Sequence, residues 1–168
     1  MHAAAVRAMA IGALACALVA GCRSAGGCKP GDPFCFCAAG RSCTQECPGV
    51  RGCALQCAND NVSCRLEGGD GCSASCQNAQ SCEARCGRGA MVACQHVRVA
   101  CVASVGDGSR VRCEGAARCD VTCAAGCDVD CPGGRCRVRC ADPARCRVAC
   151  DTPLVTCPDG SLACGTGC

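Results

Sequence analysis

The sequence predicts an all-β protein, a β-solenoid of short C-x-V-x-C strands stapled together by disulfides. Three observations lead there. Cysteine supplies 28 of the 168 residues and glycine 22, against two Phe and no Tyr or Trp. A five-residue unit, C-x-x-x-C, returns at short intervals through most of the chain. Within several copies the residue types alternate with a period of two, which is the spacing of one face of a strand.

Composition makes the staples necessary. Beyond Gly21 the aliphatic and aromatic core formers are 13 Val, 4 Leu, 2 Phe and 1 Met among 147 residues, with no Ile. Burying so little apolar surface does not offset the entropy of ordering a chain. The cysteine content exceeds the level that marks a disulfide scaffold. An ordinary globular enzyme fold with an aliphatic core is therefore excluded, leaving a covalently stapled protein or a metal–thiolate protein. The formal net charge of +3 is too small to define a partner by itself.

Residues 1–21 read as a secretory signal. Arg7 supplies a positive start, and Ala8 to Ala20 form an uncharged run of 13 residues, too short for a bilayer span of about 20. The run ends Val19-Ala20-Gly21-Cys22, which resembles the lipobox of bacterial lipoproteins. That resemblance implies cleavage before Cys22 and acylation of its thiol and new amine. Several acyl chains on one residue hold a membrane stably where one chain holds marginally. Arg23, where the resemblance would place Asp for inner-membrane retention, implies the outer membrane of a diderm bacterium, facing the periplasm or the surface. Removing Cys16 with the signal and occupying Cys22 with lipid leaves 26 of the 28 cysteines, an even number able to pair completely.

Residues 22–34, rich in Gly and Pro, read as a tether, and residues 35–168 as the repeat domain. Phe34 and Phe36 flank Cys35 and Cys37 and are expected to cover the open end of the first coil.

The repeat runs CTQEC (43–47), CALQC (53–57), CSASC (72–76), CEARC (82–86), CDVTC (119–123), CDVDC (127–131), CRVRC (136–140) and CRVAC (146–150). Partial copies lie between and after them at Val62–Leu66, Val92–Cys94, Val97–Cys101, Val111–Cys113, Val155–Cys157 and Leu162–Cys164. A short fixed period over this length signals a solenoid, and the separators AAG, PGGR and ADPAR are turn chemistry. Stapled helical hairpins and an irregular disulfide knot are the rival architectures. Intervals this short, with Val inserted and Gly or Pro every ten residues or so, disfavour helices.

Two strands per coil give a period of 18–20 residues. Accordingly Cys53/Cys72, Cys57/Cys76, Cys94/Cys113, Cys127/Cys146 and Cys131/Cys150 each lie 19 apart. Six or seven coils at about 4.8 Å each make a rod roughly 30 Å long. Cysteines of one C-x-x-x-C strand sit about 13 Å apart, beyond the roughly 7 Å a disulfide spans. The preferred bridges join one strand's end to the next strand's start, as in Cys47–Cys53, Cys76–Cys82 and Cys140–Cys146, with bridges between coils as the alternative.

Candidate chemistry is sparse. No C-x2-C pair occurs to set two thiolates toward one ion, so no metal or other cofactor is expected, although sequestration by reduced thiols is an alternative. No nucleophile motif or phosphate loop points to an enzyme. His96 is expected to be solvated or satisfied, and Gly68-Gly69-Asp70-Gly71 to be a turn. Arg135, Arg137, Arg139, Arg145 and Arg147 would form a basic strand face able to bind an anionic glycan or surface ligand by charge. Asp120, Asp128 and Asp130 precede them and would make the rod electrically two-toned. Without aromatics for base stacking, no specific nucleic-acid recognition is expected.

The lipobox together with the C-x-V-x-C units resembles the cysteine-rich repeat lipoproteins of high-GC, myxobacteria-like bacteria, in keeping with 16 Arg to one Lys. The expected role is a structural or adhesive module of the cell envelope.

Overall fold

The computed structural model describes residues 23–24, 42–47, 51–58, 60, 62–165 and 168. The signal, the lipobox Val19 to Cys22, and Phe34 and Phe36 lie outside the described residues.

The alternating units become strands: β1 (Arg23–Ser24), β2 (Cys43–Cys47), β3 (Ala54–Ala58), β4 (Ser63–Gly68), β5 (Ser73–Gln77), β6 (Ser81–Cys86), β7 (Met91–Gln95) and β8 (Ala100–Val105). They continue as β9 (Ser109–Glu114), β10 (Cys119–Cys123), β11 (Cys127–Cys131), β12 (Cys136–Cys140), β13 (Arg147–Cys150), β14 (Leu154–Thr156) and β15 (Leu162–Cys164). Even-numbered strands β2 to β12 stack in parallel in one sheet and odd-numbered strands β3 to β13 in the other. Each even–odd pair is one coil, and six such pairs make about five turns of a β-solenoid.

Register follows the cysteine columns. Cys57 stands beside Cys76, Cys94 beside Cys113, and Cys131 beside Cys150, as the 19-residue spacing predicts. In the even-strand sheet Cys43, Cys64, Cys82, Cys101, Cys119 and Cys136 form one continuous column. Between the cysteine columns, the middle residue of each strand faces inward. Leu66, Ala84, Ala103, Val121 and Val138 meet Leu55, Ala74, Val92, Val111 and Val129, all buried. Small side chains let the two sheets approach closely, and the core is one residue thick from each side.

Gln45 breaks the apolar column and is nevertheless buried. Its side-chain amide donates to the Gln56 carbonyl at 2.9 Å, and its Oε1 accepts from the Gln56 backbone N–H at 3.0 Å. A buried amide held at both ends costs little, and it ties β2 to β3.

Three expectations about the strands are corrected. Val97 does not begin a strand: β8 starts at Ala100, and Val97 is buried in the preceding turn, in one ladder with Ala79 and Ala116. These inward turn residues fill the corner of the coil, a role that alternation alone does not distinguish from a strand. Val155–Cys157 and Leu162–Cys164 do not add coils. They lie in β14 and β15, an antiparallel hairpin laid along β12. Its turn is Cys157-Pro158-Asp159-Gly160, closed by the Gly160 N–H donating to the Cys157 carbonyl at 2.9 Å with Gly160 at φ 77°. The antiparallel strands cover what would otherwise be a bare parallel edge. At the opposite end of the sheet, Arg23–Ser24 of the expected tether pairs antiparallel with β2.

Candidate functional site

Disulfides sit at the corners of the coils, regularly at one corner and irregularly at the other. At the corner leading from an odd strand to the next even strand, an unbroken ladder runs Cys57–Cys64, Cys76–Cys82, Cys94–Cys101, Cys113–Cys119 and Cys131–Cys136. Their Cα–Cα separations are 6.2 to 6.4 Å, within the range a disulfide spans without distortion. The expected strand-to-strand bridges Cys76–Cys82 and Cys140–Cys146 are present.

The opposite corner is irregular. The positions that would bridge are Cys47/Cys53, Gly68/Cys72, Cys86/Ala90, Val105/Ser109, Cys123/Cys127 and Cys140/Cys146, read coil by coil from the register. Only the last two coils form the same-corner bond among the described disulfides. The second coil has Gly68 where its first cysteine would be, and the third has Ala90 in place of its second. The two orphans, Cys72 and Cys86, therefore bond to each other across coils. In the fourth coil a buried Ser109 hydroxyl replaces sulfur, accepting from the Ala90 N–H at 3.0 Å. The expected Cys47–Cys53 bridge is absent: Cys47 is disulfide-bonded, while Cys53 is a buried free thiol. The even count of 26 thus does not close into complete pairing.

Sulfur clusters capable of holding an ion also fall at these corners. Cys82, Cys94 and Cys101 form one such group, and Cys101, Cys113 and Cys119 another, with sulfurs within 4.8 Å. Each group contains a bonded pair, Cys94–Cys101 or Cys113–Cys119. A disulfide sulfur is not the thiolate that binds metal, so these groups become ligands only on reduction.

The arginines predicted as one face are divided. Consecutive strands belong to opposite sheets, so Arg137 and Arg139 on β12 face away from Arg147 on β13. Arg145 lies in the single-turn 3-10 segment Pro143–Arg145 and reaches Asp107 at 3.4 Å. The two-toned rod is corrected for the same reason. Asp128 and Asp130 sit on the odd-strand sheet, 3.9 Å from Arg110 and 3.3 Å from Arg112 respectively. On the other sheet Arg65, Glu67, Glu83 and Arg85 form a closed network of ion pairs. In these pairs a charge on one coil faces its opposite on the next, which suits parallel stacking.

One part of the basic set does converge. Arg135, Arg137 and Arg139 line an open groove of about 580 Å³ with Arg118, Asp120, Thr122 and Val102. Arg118 was not singled out from sequence; it enters because Asp120, its partner at 2.7 Å, stacks beside Arg137 in register. Arg137 pairs with Asp159 of the hairpin turn at 2.8 Å, and Arg139 approaches the same carboxylate at 3.7 Å. The Ser161 hydroxyl and N–H, with Arg137, hold the Asp159 carboxyl far below the usual carboxylate range. Among the side chains, four guanidiniums against the carboxylates of Asp120 and Asp159 give the groove a cationic lining.

His96 is in neither face of a strand. It occupies a left-handed turn position (φ 52°) in line with Asn78 (φ 55°), Gly115 (φ 62°) and Gly133 (φ 67°) of neighbouring coils. His and Asn are among the side chains that tolerate this conformation. Gly68-Gly69-Asp70-Gly71 ends β4 and turns the chain, as expected. The Asp70 carboxylate accepts from the Arg88 N–H of the next coil at 2.8 Å and pairs with the Arg88 guanidinium at 3.0 Å. Asp107 repeats the device two coils further on, accepting from the Gly126 N–H at 2.8 Å.

These two turn carboxylates predict acid sensitivity. The Arg88 N–H lowers the Asp70 pKa, and the Gly126 N–H lowers that of Asp107. Groups depressed on folding stabilise the protein above the unfolded-state value of about 4, and that stabilisation is lost as pH falls through the lower folded values. Melting temperature should hold level from pH 7 to about pH 4 and then decline. The double variant Asp70→Asn, Asp107→Asn should start lower and decline less, as read by circular dichroism.

Among the described residues no helix is long and apolar enough to cross a membrane. Comparison with protein-family models, with curated proteins and with solved structures finds no match.

Proposed function

We propose that the protein is an exported, non-catalytic structural module of the cell envelope, anchored through acylated Cys22 to the outer membrane of a diderm bacterium. The observation that carries this reading is the corner ladder of disulfides. It turns a chain too poor in aliphatic side chains to fold by burial into a rigid two-sheet rod, and such staples persist in oxidising compartments. The Val19-Ala20-Gly21-Cys22 motif supplies the address. Intact-mass analysis of the full chain from its native membrane tests it. The reading expects a mature chain beginning at lipid-bearing Cys22, with no bound metal. A chain retaining residues 1–21, or an unmodified Cys22, overturns it.

A second reading, adhesion to an acidic glycan, is favoured by the convergence of Arg118, Arg135, Arg137 and Arg139 on one groove. Guanidinium forks suit carboxylate and sulfate groups, and the groove lies on the coils farthest from Cys22 in sequence. The variant Arg118→Ser, Arg135→Ser, Arg139→Ser should lose retention on a sulfated-polysaccharide resin at physiological ionic strength, where exposed charges are screened beyond about 8 Å. Arg110→Ser with Arg112→Ser, on the other sheet, should leave retention unchanged. Equal retention of the triple variant and the natural chain ends this reading.

A further inference from the structure

The irregular corner brings a free thiol against a disulfide. Cys53 and Cys72 occupy the same place in successive coils, each just before its strand, and the Ser73 N–H donates to the Cys53 carbonyl at 2.8 Å. Gly68 faces both. A Cβ built on it would stand 2.9 Å from Cys53 Sγ and would overlap Cys72 Sγ, so the two sulfurs border the one space left by the missing side chain. Cys72 is meanwhile bonded to Cys86 of the next coil. Cys53 and Cys86 are buried to the same degree, but Cys86, unlike Cys53, lines an open groove of about 660 Å³ together with Glu67, Gly69, Arg85 and Gly106.

We propose that this corner is a thiol–disulfide exchange site that delivers a concealed thiol to the groove. The Cys53 thiol loses its proton to solvent, and the thiolate attacks Cys72 Sγ. The Cys53–Cys72 bond forms as the Cys72–Cys86 bond breaks, and Cys86 leaves as a thiolate. The exchange conserves electrons and needs no outside reductant. Adjacent parallel strands are about 4.8 Å apart, which lies within the Cα range a disulfide accepts. The staple shifts by one coil, from the second and third to the first and second, while the ladder at the other corner holds the sheets in place. The Cys86 thiolate then takes a partner that carries a disulfide: it attacks one sulfur, forms a mixed disulfide and releases the other sulfur as a thiol. Burial pushes the Cys53 thiol up in pKa, so the site is quiet near neutral pH and faster in mild alkali.

The test treats the full, unreduced chain at mildly alkaline pH with a symmetrical aromatic disulfide reagent, followed by peptide mapping without reduction. The expected product carries the label on Cys86 and contains a new Cys53–Cys72 bridge. Label on Cys53 with Cys72–Cys86 intact, or no label at either cysteine, overturns the proposal. The variant Cys53→Ser should lose labelling at Cys86 to background; undiminished labelling there overturns the proposal too. Cys86→Ser gives a readout independent of the reagent. Its Cys53 and Cys72 should be found bridged once the purified chain is oxidised by dissolved oxygen with a copper catalyst, and two free thiols in the folded chain after that oxidation would show that they cannot reach each other.

Discussion

Reduction by a dithiol, without denaturant, is expected to abolish the β-sheet circular dichroism of this protein. Most globular domains survive that treatment because their apolar cores hold them. Here the inward positions between the sheets are Val, Ala, a few Leu and cysteine, with Gln45 and Ser109 as polar exceptions. The ladder bridges Cys57–Cys64, Cys76–Cys82, Cys94–Cys101, Cys113–Cys119 and Cys131–Cys136 close loops with sequence separations of 5 to 7. Loops of that size are each worth about 2–2.5 kcal/mol through the unfolded chain. Five together are comparable to the whole stability of an ordinary domain, about 5–15 kcal/mol. Removing one rung, by Cys94→Ser with Cys101→Ser, should leave the fold intact and lower the melting temperature by about 10 °C. A reduced protein that keeps its strand signal and its melting transition would show that burial alone sustains the solenoid.

The second large effect is expected at Gly106. A Cβ there would stand 2.6 Å from the Arg88 backbone nitrogen and 2.7 Å from the Gly87 carbonyl carbon. Both are main-chain atoms of the coil beneath, and neither can rotate away. Gly106→Ala must therefore separate two coils that are joined by the Gly106 N–H donating to the Gly87 carbonyl at 3.0 Å. The expected loss is about 3 kcal/mol, measured by thermal or chemical unfolding. Gly108, two residues on, is the control. Nothing lies within 4 Å of its added Cβ, and only its φ of 69° resists substitution, at about 1–2 kcal/mol. If the two alanine variants are equally destabilised, close stacking of the coils is not what Gly106 provides.

The architecture was legible because the repeat is local. Cys-Asp-Val-Thr-Cys at 119–123 and Cys-Arg-Val-Arg-Cys at 136–140 announce period-two strands, and they stack cysteine on cysteine and valine on valine although they lie 17 apart rather than 19. What escaped depends on relations between coils. Arg137 and Arg147 are near in sequence but belong to opposite sheets, because each turn of the chain carries the next strand to the other side. Alternation does not state direction either, so Val155-Thr-Cys157 passed for another coil; Pro158-Asp159-Gly160 was the available sign of a hairpin. The Cys72–Cys86 bridge was illegible for a further reason. It follows from Gly68 and Ala90 standing where two other coils have cysteine, a comparison that requires the register first.

The corner ladder also bears on how the chain reaches this state. Seven of the ten described bridges join cysteines with no other cysteine between them, among them Cys94–Cys101, Cys123–Cys127 and Cys140–Cys146. Partners separated by so few residues meet by local loop closure, which takes about 10–100 ns for a ten-residue loop. A polypeptide emerging amino terminus first can therefore oxidise in the order of its emergence, each finished coil serving as the template for the next strand. The long search through competing pairings that burdens other cysteine-dense proteins is confined to the few bridges that skip a neighbour.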